Sequence, residues 1–229
     1  MEWASFFALK VFMEIDSDIS DILTKLSGTR EEEILQAMKE LYAQIAQKQA
    51  VWYEKSGFTC PRGCGECCRN FEPDLLECEA DYMAAWLLEN KADVAEKVSS
   101  GEFPFSQNKG CPFWNENDDN HCSIYGGRAF VCRFFGAYGA KSKTGELIFK
   151  PCKFYPAEIL ASHKPPLSHR QYGEGEMLEI FGILPPISTD TMESAISINP
   201  DNTETKMLRE ILPKSIQRIK WICSMASGN

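Results

Sequence analysis

The chain has 229 residues and a net charge of −9, with a pI near 5.0; this length fits one domain with extensions or two small domains. Such acidity argues against nucleic-acid binding through a broadly basic surface. No apolar run reaches the ~20 residues of a membrane-spanning helix, and 44% hydrophobic with 25% charged residues is ordinary for a globular protein.

The first residues, "MEWASFFALKVFMEID", hold a short apolar patch, but Glu2 precedes it and Lys10 interrupts it. A secretory signal needs a basic start and an unbroken apolar stretch, so the expected location is the cytoplasm. Residues 1–57 read as an N-terminal helical segment. "DSDISDILTKL" predicts a short helix, and Thr29 with Glu32 forms a capping box before Ile34, Met38, Leu41, Tyr42 and Ile45 at helical spacing. Ser56-Gly57 supplies the stop.

Next comes "CPRGCGECCRN", four cysteines in nine positions from Cys60 to Cys68. Disulfides, redox-active thiols and metal ligands all place cysteines this densely. A reducing compartment turns the ten cysteines of the chain away from disulfides and toward metal or catalysis. Pro61 stiffens the turn and Gly63 and Gly65 free its backbone, so soft sulfur ligands converge locally. Vicinal Cys67 and Cys68, read as extended, point to opposite faces and feed two sites or two atoms of a cluster.

"PDLLECEADYMAAWLLENKADVAEKV" predicts one helix, capped by Asp74 and Glu77, with Tyr82, Met83, Trp86 and Leu87 on one stripe. Cys78 at its start is read as a packed hydrophobe. From Gly101 to Tyr155 the helical period fades into short strands and turns, "HCSIYG" and "ELIFK" among them, with "KTGE" as a hairpin turn. "NENDDN" lacks the register and final Glu of a calcium loop and reads as a solvated turn. Residues 157–229 read as irregular Pro-containing crossing segments followed by a helix from about Glu204, with Pro213 as a kink or break.

Apart from Cys78, eight cysteines lie between positions 60 and 152: Cys60, Cys64, Cys67, Cys68, Cys111, Cys122, Cys132 and Cys152. They divide into two groups of four, which suits two Cys₄ ions or an iron–sulfur cluster with spare thiols. Gly127 to Tyr155 holds six basic residues against one acid, Glu146. Arg128 and Arg133 are candidates to set cations beside anionic thiolates, or else are surface charges. Phe113, Trp114, Tyr125, Phe130, Phe134, Phe135 and Phe154 are available to wall the site or to fill the core. With cysteines in such supply, His121, His163 and His169 are not needed as ligands.

Cys60, Cys64, Cys67, Cys68 and Cys111, followed by Cys122, Ile124, Tyr125, Arg128, Cys132 and Arg133, resemble the YkgJ-like cysteine-cluster family of zinc- or iron-chelating domains. Cys152 matches that pattern more loosely, and Ala129 stands where the family has proline. The resemblance spans residues 58–156 and implies chelation of Zn²⁺ or iron, an iron–sulfur cluster being the main alternative, through up to eight thiolates. The family's cysteine region is also shared with flagellin lysine methylases.

The expected fold is α+β: a small irregular cysteine-rich metal-binding core with short strands over 58–156, wrapped by N- and C-terminal helices. A metal-chelating domain that recruits a protein partner, away from membranes, is the first functional reading. Cys60, Cys64 and Cys67 also match the CxxxCxxC of radical S-adenosylmethionine enzymes. Those enzymes resemble one another in an aromatic where this chain has Glu66, and the 162 residues after Cys67 are short for their barrel. A metal carrier or redox sensor is a third reading.

Overall fold

A computed structural model describes residues 19–58, 64–105, 110–118 and 120–226. The apolar start and Cys60 therefore lie outside the described residues, as does Asp119 of the "NENDDN" turn. The fold is α+β, with helices around two small antiparallel sheets.

Helix α1 (Ser20–Lys25) leads to α2 (Arg30–Ser56). Thr29 caps α2 by accepting from the Glu32 amide at 3.2 Å, while the Glu32 carboxylate reaches one residue further back, to the Gly28 amide. Gly57 ends the helix in the left-handed region, at φ 63°. Leu35, Met38, Leu41, Tyr42, Ile45 and Trp52 are buried along one stripe, the i, i+3, i+4 pattern that turns an apolar face inward. At 27 residues, or about 40 Å, α2 is long enough to serve two cores.

The first core is built on α4 (Glu77–Asn90), whose residues Cys78 to Leu87 are all buried. Helices α5 (Ala92–Ser99) and α10 (Leu208–Ala226) pack along it, together with α1 and the first half of α2. Arg218 of α10 bridges Glu77 at 2.8 Å and Asp81 of α4. The second core gathers Trp52 at the end of α2 with Phe58, Phe149, Tyr155, Tyr172, Met177 and Phe181. It underlies the sheet β2 (Gly139–Lys141), β3 (Leu147–Phe149), β4 (Tyr172–Gly173). Strands β1 (Asp74–Leu75) and β5 (Lys206–Met207) form the other sheet.

Several expectations are corrected. Asp74 does not cap α4, because β1 pairs it with Met207; Glu79 does so instead, accepting from the Leu76 amide at 3.1 Å. The single helix expected over residues 73–98 is two, broken where Lys91 leaves helical angles (φ −147°, ψ 55°). The Pro-containing stretches at 163–171 and 182–186 are without helix or strand, as expected, but three helices not expected from the sequence stand around them: α7 (Ala157–Ser162), α8 (Glu174–Phe181) and α9 (Ser188–Ile198). The final helix begins at Leu208 and runs through Pro213. The "KTGE" segment is the β2–β3 hairpin turn, closed by Ser142 N–H to the Glu146 carbonyl at 2.8 Å.

Candidate metal centre

The cysteine region is assembled from the N-terminal side by Gly65 and α3 (Glu66–Arg69). Gly65 has a φ of 53°, and a β-carbon there would stand 2.4 Å from that of His121, so glycine is required both by conformation and by space. Cys67 and Cys68 therefore sit on a helical turn and not on the extended segment read from the sequence. Their sulfurs are 3.8 Å apart. That spacing matches the edge of a tetrahedron of sulfurs around an ion at ~2.3 Å, so adjacency in sequence does not force the two thiols apart.

Cys111 is docked onto this turn through its amide, which donates to the Cys68 carbonyl at 3.0 Å. The chain passes so close that a β-carbon on Gly110 would lie 2.2 Å from the Arg69 carbonyl oxygen. Residues 111–122 then fold back on themselves. Ser123 N–H meets the Phe113 carbonyl at 3.0 Å, Asn115 N–H meets that of His121, and Trp114 bridges to Cys122. Within "NENDDN" the Asn115 side chain holds the reversal, accepting from the Asn117 amide at 3.0 Å and donating to Asp118. His121 bonds to the Asn115 carbonyl and lies against the Trp114 ring. His163 bonds instead to the carbonyls of Pro165 and Ser56.

Cys132 comes in on α6 (Phe130–Phe134), after a 3-10 turn at Tyr125–Gly127. This short helix is clamped on both sides. Glu79 of α4 accepts from the Phe130 amide at 2.9 Å, and Gln49 of α2 donates to the Arg133 carbonyl. Ala129 ahead of it has a φ of −61°, close to the angle that proline fixes, so the turn keeps its shape without the ring. Cys152 arrives from the loop after β3, where its carbonyl accepts from Tyr155.

The two arginines part company. Arg128 stacks its guanidinium on Tyr125 at 3.6 Å, and its charge acts on the thiols of Cys67, Cys122 and Cys132. Its Nε–H is buried and has no protein partner among the described residues. Arg133 is buried on the other side of α6. It donates to the carbonyls of Arg128 (3.1 Å) and Gly126 (2.7 Å) and covers the Tyr42 ring at 4.1 Å, where its charge acts on Glu79. Phe113, Phe130 and Phe134 are buried, whereas Phe154 is 37% exposed and stands at the rim of a groove.

Cys64, Cys67, Cys68, Cys111, Cys122, Cys132 and Cys152 are free thiols. Burial raises the pKa of Cys111 to about 12 and also lifts those of Cys122, Cys132 and Cys152. Cys132 is further raised by charge on Cys111, Cys122 and Cys67, and Cys152 by charge on Cys64 and Cys67. Within the vicinal pair, the hydrogen bond from Cys68 lowers Cys67 to about 7 and raises Cys68. Two neighbourhoods emerge. Cys68, Cys111, Cys122 and Cys132 form one, and Cys64 and Cys152 the other, with Cys67 acting on both. Cys78 stays apart: it is buried against the Ala195 carbonyl and raised to about 12, mainly by burial.

Among the described residues no three histidine, cysteine or acidic side chains already stand in the arrangement of a metal site. The donors nonetheless suit a soft or borderline cation. The orphaned Nε–H of Arg128 also suits the negative charge that thiolates around a divalent ion retain.

Free thiols from separate stretches of chain, drawn into a small irregular core inside a helical frame, define a cysteine-cluster metal-binding domain. Residues 59–157 match the family model CxxCxxCC, described as "Putative zinc- or iron-chelating domain". The first gap is one residue longer here than in the family's name, with three residues between Cys60 and Cys64. No curated protein and no solved structure matches the chain. No helix among the described residues is long and apolar enough to cross a membrane.

Proposed function

We propose that the chain chelates zinc or iron through two thiolate groups that meet at Cys67. Cys68, Cys111, Cys122 and Cys132 make the inner group, and Cys64, Cys67 and Cys152 contribute to the outer one. The observation that carries this reading is the pair of free thiols on one helical turn, Cys67 and Cys68, whose sulfurs stand 3.8 Å apart, with the Cys111 amide docked on the Cys68 carbonyl at 3.0 Å. Without a cation, that arrangement sets several thiols side by side with only weak hydrogen bonds to hold them.

The protein's own groups have defined tasks in such a centre. Arg128 balances the charge on the inner sulfurs, α6 fixes Cys132 against α2 and α4, and Gly110 lets Cys111 approach Cys68. A bound ion would cross-link a region with little regular secondary structure, where binding free energy acts as folding free energy, ~10–16 kcal/mol for structural zinc at neutral pH. Free thiols in such proximity also fit work in a reducing compartment such as the cytoplasm.

A cysteine series tests the reading. Metal is measured by mass spectrometry in the wild type and in the Cys68→Ser, Cys132→Ser, Cys152→Ser and Cys78→Ser variants, all purified without oxygen. The first three lose metal and Cys78→Ser keeps it. Equal metal content in all five proteins would refute thiolate chelation at these positions.

A further inference from the structure

A groove of about 370 Å³ opens beside the outer thiols, lined by Cys67 and Cys152 together with side chains from α3, the loop after α6 and the loop after β3. Its volume lies at the small end of the 300–1,000 Å³ typical of ligand sites, enough for one or two rings. Its walls are aromatic: Phe71 and Phe135 meet edge to face at 5.4 Å, and Phe154 flanks the same opening. Phe71 and Phe154 are 36% and 37% exposed, so two large apolar rings face solvent at one opening.

The charge at the rim is positive in a chain of net −9. Lys150 and Lys153 both line the groove, and neither has a carboxylate partner among the described residues. Lys153 rests on the Phe154 ring at 4.8 Å. The carboxylate that lines the groove, Glu66, is engaged by Arg69 at 3.5 Å. Aromatic walls beneath two uncompensated ammonium groups complement a flat apolar body with an acid at one end.

We propose that this groove binds a small aromatic carboxylate, its ring between Phe71, Phe135 and Phe154 and its acid group on Lys150 and Lys153. The proposal does not rest on metal chelation, since it uses neither thiol as a ligand. The probe is 4-fluorobenzoate, titrated into the full-length protein and followed by fluorine NMR, with 4-fluorobenzylamine and cyclohexanecarboxylate as the charge-reversed and non-aromatic controls. Saturable binding of the benzoate, at least about tenfold tighter than of either control, is the expected result.

The double variant Lys150→Ala/Lys153→Ala should weaken that binding by about tenfold or more at unchanged metal content and unchanged far-ultraviolet dichroism. Phe71→Ala should weaken it as well. Two outcomes overturn the proposal: no saturable binding at millimolar probe; or equal affinity in the double variant, which with metal retained would mean anchoring on a bound metal and with metal lost would make the lysines counter-ions of the thiolates.

Discussion

Glu79 offers a quantitative test of how the helical frame holds the cysteine region. The carboxylate is 1% exposed, accepts from Leu76 of its own helix and from Phe130 of the Cys132 helix, and has a pKa raised from 4.5 to about 7, mainly by burial. A carboxyl that holds its proton more tightly when folded contributes stability that is fully present below the unfolded value and is lost as pH rises through the folded one. That rise corresponds to about 3 kcal/mol, of which about 2.5 kcal/mol falls between pH 5 and pH 8. Glu79→Gln removes the titration and, by turning an amino group toward one of the two amides, costs a pH-independent 1–3 kcal/mol or so. Guanidinium unfolding of both proteins at pH 5 and pH 8 reads the difference, because the remaining titrating groups are common to both. The wild type should lose about 2.5 kcal/mol more than the variant over that interval. Profiles parallel to within about 0.5 kcal/mol would refute the buried, proton-holding carboxyl.

Further predictions bear on the site itself. Gly110→Ala forces a β-carbon against the Arg69 carbonyl at φ 90° and should cost about 2–4 kcal/mol with loss of metal, read by denaturant unfolding and metal analysis; a change under about 0.5 kcal/mol contradicts the close approach. Ala129→Pro finds φ already at −61° and the preceding Arg128 extended at ψ 151°, so it should keep metal and stabilise the chain by about 0.4–1 kcal/mol; destabilisation beyond about 1 kcal/mol would show that the ring does not fit. Burial keeps Cys111, Cys122 and Cys132 protonated at neutral pH, as the hydrogen bond to Cys67 does Cys68, so ligation must displace those protons and metal affinity must rise with pH. Filling the inner group at pH 7 should release about four protons per ion, measured by calorimetry in buffers of different ionisation heat; fewer than about two would contradict the ligand set.

Much of the frame was legible because its signals are local. The Thr29 cap, the stripe from Leu35 to Ile45 and the Gly57 stop all lie in one helix, and "KTGE" carries its own turn chemistry. The cysteines together with Ile124, Tyr125, Arg128 and Arg133 carry the resemblance to the family whose model matches residues 59–157. What stayed hidden depends on distant partners or weak periods. Glu79 is an ordinary acid three positions into a helix until Phe130, 51 residues away, donates to it. Arg133 looked like a thiolate partner by proximity in sequence, but one turn of α6 carries it to Tyr42. The four-residue turn holding Cys67 and Cys68 is too short to show a period. In α9 only Thr191 and Ala195 are buried, too small an apolar signal to outweigh the prolines around it.

The account stands on cations held by the clustered sulfurs, and one assay addresses that directly. Protein purified without oxygen or added metal is analysed at once for zinc, iron, acid-labile sulfide and titratable thiols. The account predicts about two zinc ions per chain with no visible colour, or iron with labile sulfide and visible absorption. A metal-free protein whose cysteines between positions 60 and 152 are paired as disulfides would contradict it.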